Sequence, residues 1–120
     1  MSGTSLDAVD AALILTDGVE VLDFGPVAER KYTPSERAVL KAAVDTARSW
    51  NWAGPQPDSA FSKATQVLTV THVDAFKKMT SLPDAQPPRL VGVHGQTVLH
   101  RAPSGDIKGR TLQIVDADQL

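Results

Sequence analysis

Residues 58–81 contain neither glycine nor proline. An unbroken stretch of that length is too long for an ordinary strand, and it constrains the fold more than any other feature of the chain. Phe61, Ala64, Leu68, Ala75, Phe76 and Met79 recur along it at helical spacing. They predict one long helix, although its middle, TQVLTVTHV, is rich in β-branched residues and could pass for a strand. A second helix is predicted before it, in TPSERAVLKAAVDTARSW. Thr33 can cap that helix, Pro34 suits its first position, and Glu36 completes a capping box. Leu40, Ala43, Val44 and Ala47 then share an apolar face, and NWAGPQP ends it. Trp50 and Trp52 at this end are expected to pack rather than to form a ligand platform.

The flanks of the helical middle read as strands. AALILTDGVEVLDF predicts a β-hairpin about a two-residue Asp17-Gly18 turn, with Ile14 opposite Val21 and Leu13 opposite Leu22. SLPDAQPP is a loop or rigid link. RLVGVHGQTVLH predicts a buried strand over residues 90–93 that runs into a glycine-containing turn. RAPSGDIKGR is a surface loop, and TLQIVDADQL begins as another strand. With 120 residues the chain forms at most one domain with a small core. The predicted class is α/β, with the helices crossing over one face of a mixed sheet.

A hydrophobic fraction of 42% and a charged fraction of 22% fit a globular chain. The net charge of −2 gives no electrostatic reason to expect nucleic acid as a partner. The absence of cysteine excludes disulfides and thiolate metal sites. No apolar run approaches the ~20 residues that cross a bilayer, and no basic segment precedes an apolar one at the start. No membrane association is expected, and the expected location is the cytoplasm.

Two segments concentrate polar chemistry. In MSGTSLD, the backbone N–H groups around Gly3 could wrap an anion, with the hydroxyls of Ser2, Thr4 and Ser5 as further donors. Asp7 or Asp10 could face a hydrated magnesium ion. The competing reading is a helix start, with Ser5 as N-cap and Leu6, Val9 and Leu13 at helical spacing. The lysine and spacing of a Walker A loop are absent. In VHGQT, His94, Gln96 and Thr97 fall just past a predicted strand end, where open α/β sheets gather ligands. Gly95 would let the chain turn there. A histidine beside a glutamine and a threonine could bond a polyol; the alternative is a structural histidine at a strand end. His72 reads as a surface or packing residue, and His100 and Arg101 as solvated polar groups. Asp116 and Asp118 could hold a metal or act as a base, but an acid at a helix start explains them as well. The histidines lack the spacing of a zinc site.

Taken together, MSGTSLDAVDAAL, VHGQTVLHRAP and TLQIVDA resemble the anhydro-N-acetylmuramic acid kinase family in order and spacing. The resemblance covers nearly the whole chain. It implies part of an ATPase domain of the actin–hexokinase–Hsp70 type. It implies ATP and Mg2+ as cofactors and 1,6-anhydro-N-acetylmuramic acid as substrate. The reaction opens the anhydro bridge and phosphorylates O6, giving N-acetylmuramic acid 6-phosphate in peptidoglycan recycling and amino sugar catabolism. Gly3, Thr4, Ser5, Leu6, Asp7, Ala8, Val9 and Asp10 match the ATP-binding loop, and His94, Gly95, Gln96 and Thr97 match the sugar-facing segment. The family usually carries glycine where Ala8 and Val115 stand.

Residues 1–120 would be the N-terminal part of the first ATPase-like domain. No residue of the chain matches the family's general-base aspartate, which is expected beyond Leu120. A first strand before the loop and the second domain would also lie outside these residues. Such a piece is expected to be inactive alone, and a homodimer is what the family suggests. The rival readings are a non-catalytic sugar-binding or interaction module and another sugar or acyl kinase of the same fold.

Overall fold

The computed structural model describes residues 2, 3 and 5–119, so that Met1, Thr4 and Leu120 lie outside the described residues. Strands β1 (Ala8–Thr16) and β2 (Val21–Lys31) form an antiparallel hairpin, followed by helices α1 (Pro34–Trp50) and α2 (Asp58–Thr80). A second antiparallel hairpin, β3 (Gln96–Arg101) and β4 (Arg110–Ile114), precedes a short 3-10 turn, Ala117–Gln119. The helix α2 packs on the first hairpin and α1 on β3. Leu40, Ala43 and Ala47 of α1 meet Phe61, Ala64, Leu68 and Ala75 of α2, with Val9, Val98 and Ile114 closing the core from the strands.

The α/β class stands, but the single mixed sheet does not. The described residues form two separate two-stranded sheets, both antiparallel. The strand expected at residues 90–93 is also absent, and Leu90 is 88% exposed. Its backbone finds no strand neighbour among the described residues. The strand starts instead at Gln96, where β4 offers a partner.

The first hairpin forms with a different register from the one expected. Ile14 pairs with Phe24 and Thr16 with Val21, so residues 17–20 make a four-residue loop. The Asp17 carboxylate accepts the N–H groups of Val19 at 2.8 Å and Glu20 at 2.9 Å, and these bonds lower its pKa. Gly18 takes the left-handed φ of 95° that such a loop needs. Thr16 Oγ1 closes the loop by donating to the Glu20 carbonyl at 2.6 Å. A further irregularity follows Ala12 and Val27. There β2 carries Gly25-Pro26, and proline has no N–H for the ladder.

The helices follow the sequence closely. Thr33 and Glu36 form the reciprocal capping box, and Asn51 ends α1 in the left-handed region at φ 44°. In α2, Thr69 donates its hydroxyl to the Thr65 carbonyl (3.0 Å) and Thr71 to that of Val67 (2.8 Å). This back-bonding satisfies the threonine hydroxyls within the helix. His72 is buried, as a packing residue, and its Nδ1–H donates to the Leu68 carbonyl at 2.8 Å. Burial holds its pKa below the ordinary value.

Glu36 also ties the first hairpin to α1. Arg30 donates to its two carboxylate oxygens at 2.5 and 2.7 Å, and the Thr33 N–H adds a third bond at 2.7 Å. The Arg30 bonds chiefly hold its pKa at about 2. Because this value lies below the ~4.3 of a free glutamate, the pair stabilises the fold fully above that pH. The contribution disappears as pH falls toward 2. Glu36→Gln is expected to cost on the order of 1 kcal/mol at pH 7, given partial solvent screening, and nothing near pH 2. Urea denaturation of both forms at pH 7, 4 and 2.5 checks this, and parallel losses across the range would contradict it.

Candidate functional site

Ser2 forms an isolated antiparallel bridge with Val9, which closes the intervening residues into a loop. The loop leads into β1, so the helix start considered for Ser5, Leu6 and Val9 does not form. Thr4, expected as a donor of this loop, lies outside the described residues. The Leu6 N–H donates to the Gly3 carbonyl at 3.2 Å, and Leu6 itself adopts φ 56°. A left-handed leucine costs about 1 kcal/mol or more, and burial of its side chain in the core offsets this. Ala8 does not have a positive φ and lies in β1 opposite Lys31. Alanine is therefore compatible with the backbone at that position.

The loop has an inner and an outer side. Leu6 and Val9 are buried in the core, so any contact they make with a ligand is through backbone. Gly3, Ser5, Asp7 and Asp10 are exposed. A Cβ added at Gly3 would meet only Ser5 Oγ, at 3.6 Å, so the backbone there is open to approach. Asp7 pairs with Arg37 at 3.2 Å, and Arg37 also donates to the Ser5 carbonyl at 3.3 Å.

Ser2 turns inward. Its Oγ donates to Gln96 Oε1 at 2.6 Å and stands 2.7 Å from Tyr32 Oη. With its one hydrogen committed to Gln96, Ser2 accepts from the tyrosine. Burial pushes the Tyr32 pKa up, which keeps the phenol protonated for that role. Gln96 is 1% exposed and also donates to the Thr97 carbonyl at 3.1 Å. The expected donor Ser2 and the expected sugar residue Gln96 thus spend their side chains on each other.

His94 and Thr97 face outward and share one partner. Gln113 Nε2 donates to Thr97 Oγ1 at 3.2 Å and lies 2.7 Å from His94 Nε2. Gly95 is needed for close packing rather than for a turn. An added Cβ would sit 2.7 Å from the Ile114 carbonyl oxygen and 3.0 Å from Val115 Cβ. The β-branched Val115 is accommodated because residue 95 has no side chain. Asp116 accepts from Gln119 at 2.7 Å, and Asp118 lies in the 3-10 turn. Leu120, beyond which the general base is expected, lies outside the described residues. Among the described residues no three histidine or acidic side chains group as a metal site.

The two motifs meet at a groove of about 550 Å³. Ser5 and Leu6 form one end, and Gln96, Thr97 and His100 line it from β3. The α1 side supplies Arg37, Lys41, Arg48 and Asp45, the last of which pairs with Arg48 at 3.8 Å. Lys41 has no ion pair among the described residues. Gly3, Asp7, Ala8, Val9, Asp10, His94 and Gly95 do not line this groove, nor do Asp116 and Asp118. Within the groove, the exposed Ser5 hydroxyl and the Lys41 ammonium suit a phosphate or carboxylate, while the open backbone of Gly3 lies outside its lining.

The family model for anhydro-N-acetylmuramic acid kinase matches residues 1–120. The chain belongs to the anhydro-N-acetylmuramic acid kinase family. The proteins of that name from Caulobacter vibrioides and Phenylobacterium zucineum are 43% and 42% identical to it over its whole length. The one from Gluconobacter oxydans is also 43% identical. The chain spans about a third of these relatives, 33%, 33% and 31% of their lengths. No solved structure matches. No helix among the described residues is long and apolar enough to cross a membrane.

Arg37, Lys41, Tyr32 and Gln113 escaped the reading of the sequence. Arg37 and Lys41 are four residues apart on one side of α1, a pattern that resembles any solvated helix face. Gln113 sits inside the quoted TLQI, but only the β3–β4 register brings it to Thr97. For Gly95, the packing predicts that Gly95→Ala lowers stability by about 1–3 kcal/mol. Chemical denaturation checks it, and an unshifted midpoint would show that β4 yields without cost.

Proposed function

We propose that residues 1–120 supply the phosphate-binding loop and the sugar-facing hairpin of an ATP-dependent anhydro-N-acetylmuramic acid kinase. In the proposed reaction water adds its oxygen to C1 of the sugar while the C1–O6 bridge breaks. O6 takes the γ-phosphoryl group, leaving ADP and N-acetylmuramic acid 6-phosphate, a step suited to cytoplasmic cell-wall recycling. The observation that carries this reading is the direct bond between the two motifs, Ser2 to Gln96, which sets the glycine loop beside the HGQT strand.

Bound ATP supplies the phosphoryl group, with Mg2+ neutralising its phosphate charge. Gly3 and its neighbours offer backbone donors, Ser5 a hydroxyl and Lys41 a cation from the groove wall. Asp7 or Asp10 would reach the metal through water, since Mg2+ is commonly held by one or two carboxylates and retained waters. His94 and Thr97, fixed by Gln113, would bond the sugar. The general base is proposed to lie beyond Leu120, in the part of the family's length that residues 1–120 do not span. Residues 3–10 and 94–97 are thus assigned to nucleotide and sugar respectively, with Leu6, Val9 and Gln96 positioning the rest.

Incubation of the full-length protein with ATP, Mg2+ and the anhydro sugar is expected to give the 6-phosphate. Ser5→Ala should raise the KM for ATP about tenfold or more, while Thr97→Val should do so for the sugar. Absence of sugar phosphate, together with saturable binding of the sugar alone, would favour a non-catalytic sugar-binding module.

A further inference from the structure

The β3–β4 hairpin carries a second cationic feature at its other end. Arg101 and Arg110 stand directly opposite one another in the antiparallel register. Side chains of such a pair leave the same face of the sheet, with Cβ atoms roughly 5 Å apart. Both guanidiniums rest on one indole. Arg110 Cζ is 4.1 Å from the Trp52 ring centroid and Arg101 Cζ is 5.1 Å from it. Like charges facing across two strands repel, and the negative face of the ring offsets part of that cost. Among the described residues no acidic side chain pairs with either arginine. In a chain of net charge −2, this is a local concentration of unneutralised positive charge.

We propose that Arg101 and Arg110, seated on Trp52, form a binding site for a phosphate dianion. Each guanidinium offers a planar fork of N–H donors that matches two oxygens of a phosphate. Two such forks side by side favour a dianion over a single carboxylate. The indole keeps one side of the pair out of water, which strengthens both contacts. The site is four residues along β3 from Thr97, about 13 Å at strand spacing. Neither arginine lines the groove that holds Lys41. The inference therefore does not depend on the kinase reading. The phosphate could be free or carried by a small phosphorylated sugar.

Isothermal titration calorimetry of the full-length protein tests this, with inorganic phosphate and glucose 6-phosphate as separate ligands at constant ionic strength. The comparison is with the R101Q/R110Q double variant, which leaves the proposed ATP and sugar residues intact. Saturable binding is expected in the wild type and should weaken at least about tenfold in the variant. Binding of inorganic phosphate makes the free ion sufficient, while binding of glucose 6-phosphate alone assigns the site to a phosphorylated sugar. Equal affinity in wild type and variant, or no saturable heat with either ligand, overturns the proposal. A second readout needs no arginine variant. Phosphate should change the tryptophan emission of the wild type but not of Trp52→Phe, and a change that chloride reproduces would also overturn it.

Discussion

The hydroxyl of Ser2 joins three parts of the molecule that are far apart in sequence. It accepts from Tyr32, at the exit of the first hairpin, and donates to Gln96, at the start of β3. All three residues are buried. The bonds run in one direction, tyrosine to serine to glutamine and on to the Thr97 carbonyl, so each polarises the next. In a dry environment such a chain is favourable only while every member is satisfied. Loss of one group leaves its neighbours buried without partners. The position of the glycine loop relative to the HGQT strand therefore depends on a few hydrogen bonds as well as on apolar packing.

That arrangement separates positioning from contact. Leu6, Val9 and Gln96 face inward and fix the backbone, while Ser5, His94 and Thr97 face outward. Arg37 secures the loop from outside through Asp7 and the Ser5 carbonyl. Lys41, one turn further along α1, remains available for an anion in the groove. Together these elements place a cationic helix face beside the glycine loop, and the chain spans about a third of the length of the family members it matches.

The legibility of the sequence follows the range of the forces involved. The α1 cap, with Thr33, Pro34 and Glu36, and the unbroken run of α2 are local and were readable to within a residue or two. The hairpin register was not, because Asp17 accepts two N–H groups and draws Val19 and Glu20 into the turn. Gly25-Pro26 then adds a second offset. The strand expected at residues 90–93 depended on a neighbour that no local pattern can supply. At the site, the motifs were visible but the direction of each side chain was not. Gln96 looks like a ligand residue until Ser2 is placed against it, and Gly95 looks like a turn residue until the Ile114 carbonyl is placed against it.

The Ser2–Gln96 bond couples the two motifs. A double-mutant cycle measures it most directly, with Ser2→Ala, Gln96→Leu and the double variant compared by chemical denaturation. The two single variants should each cost about 1–3 kcal/mol. The double variant should cost less than their sum by about 1 kcal/mol or more, because each single change strands the other partner. Strictly additive losses would contradict this coupling, since the two motifs would then be held in place independently.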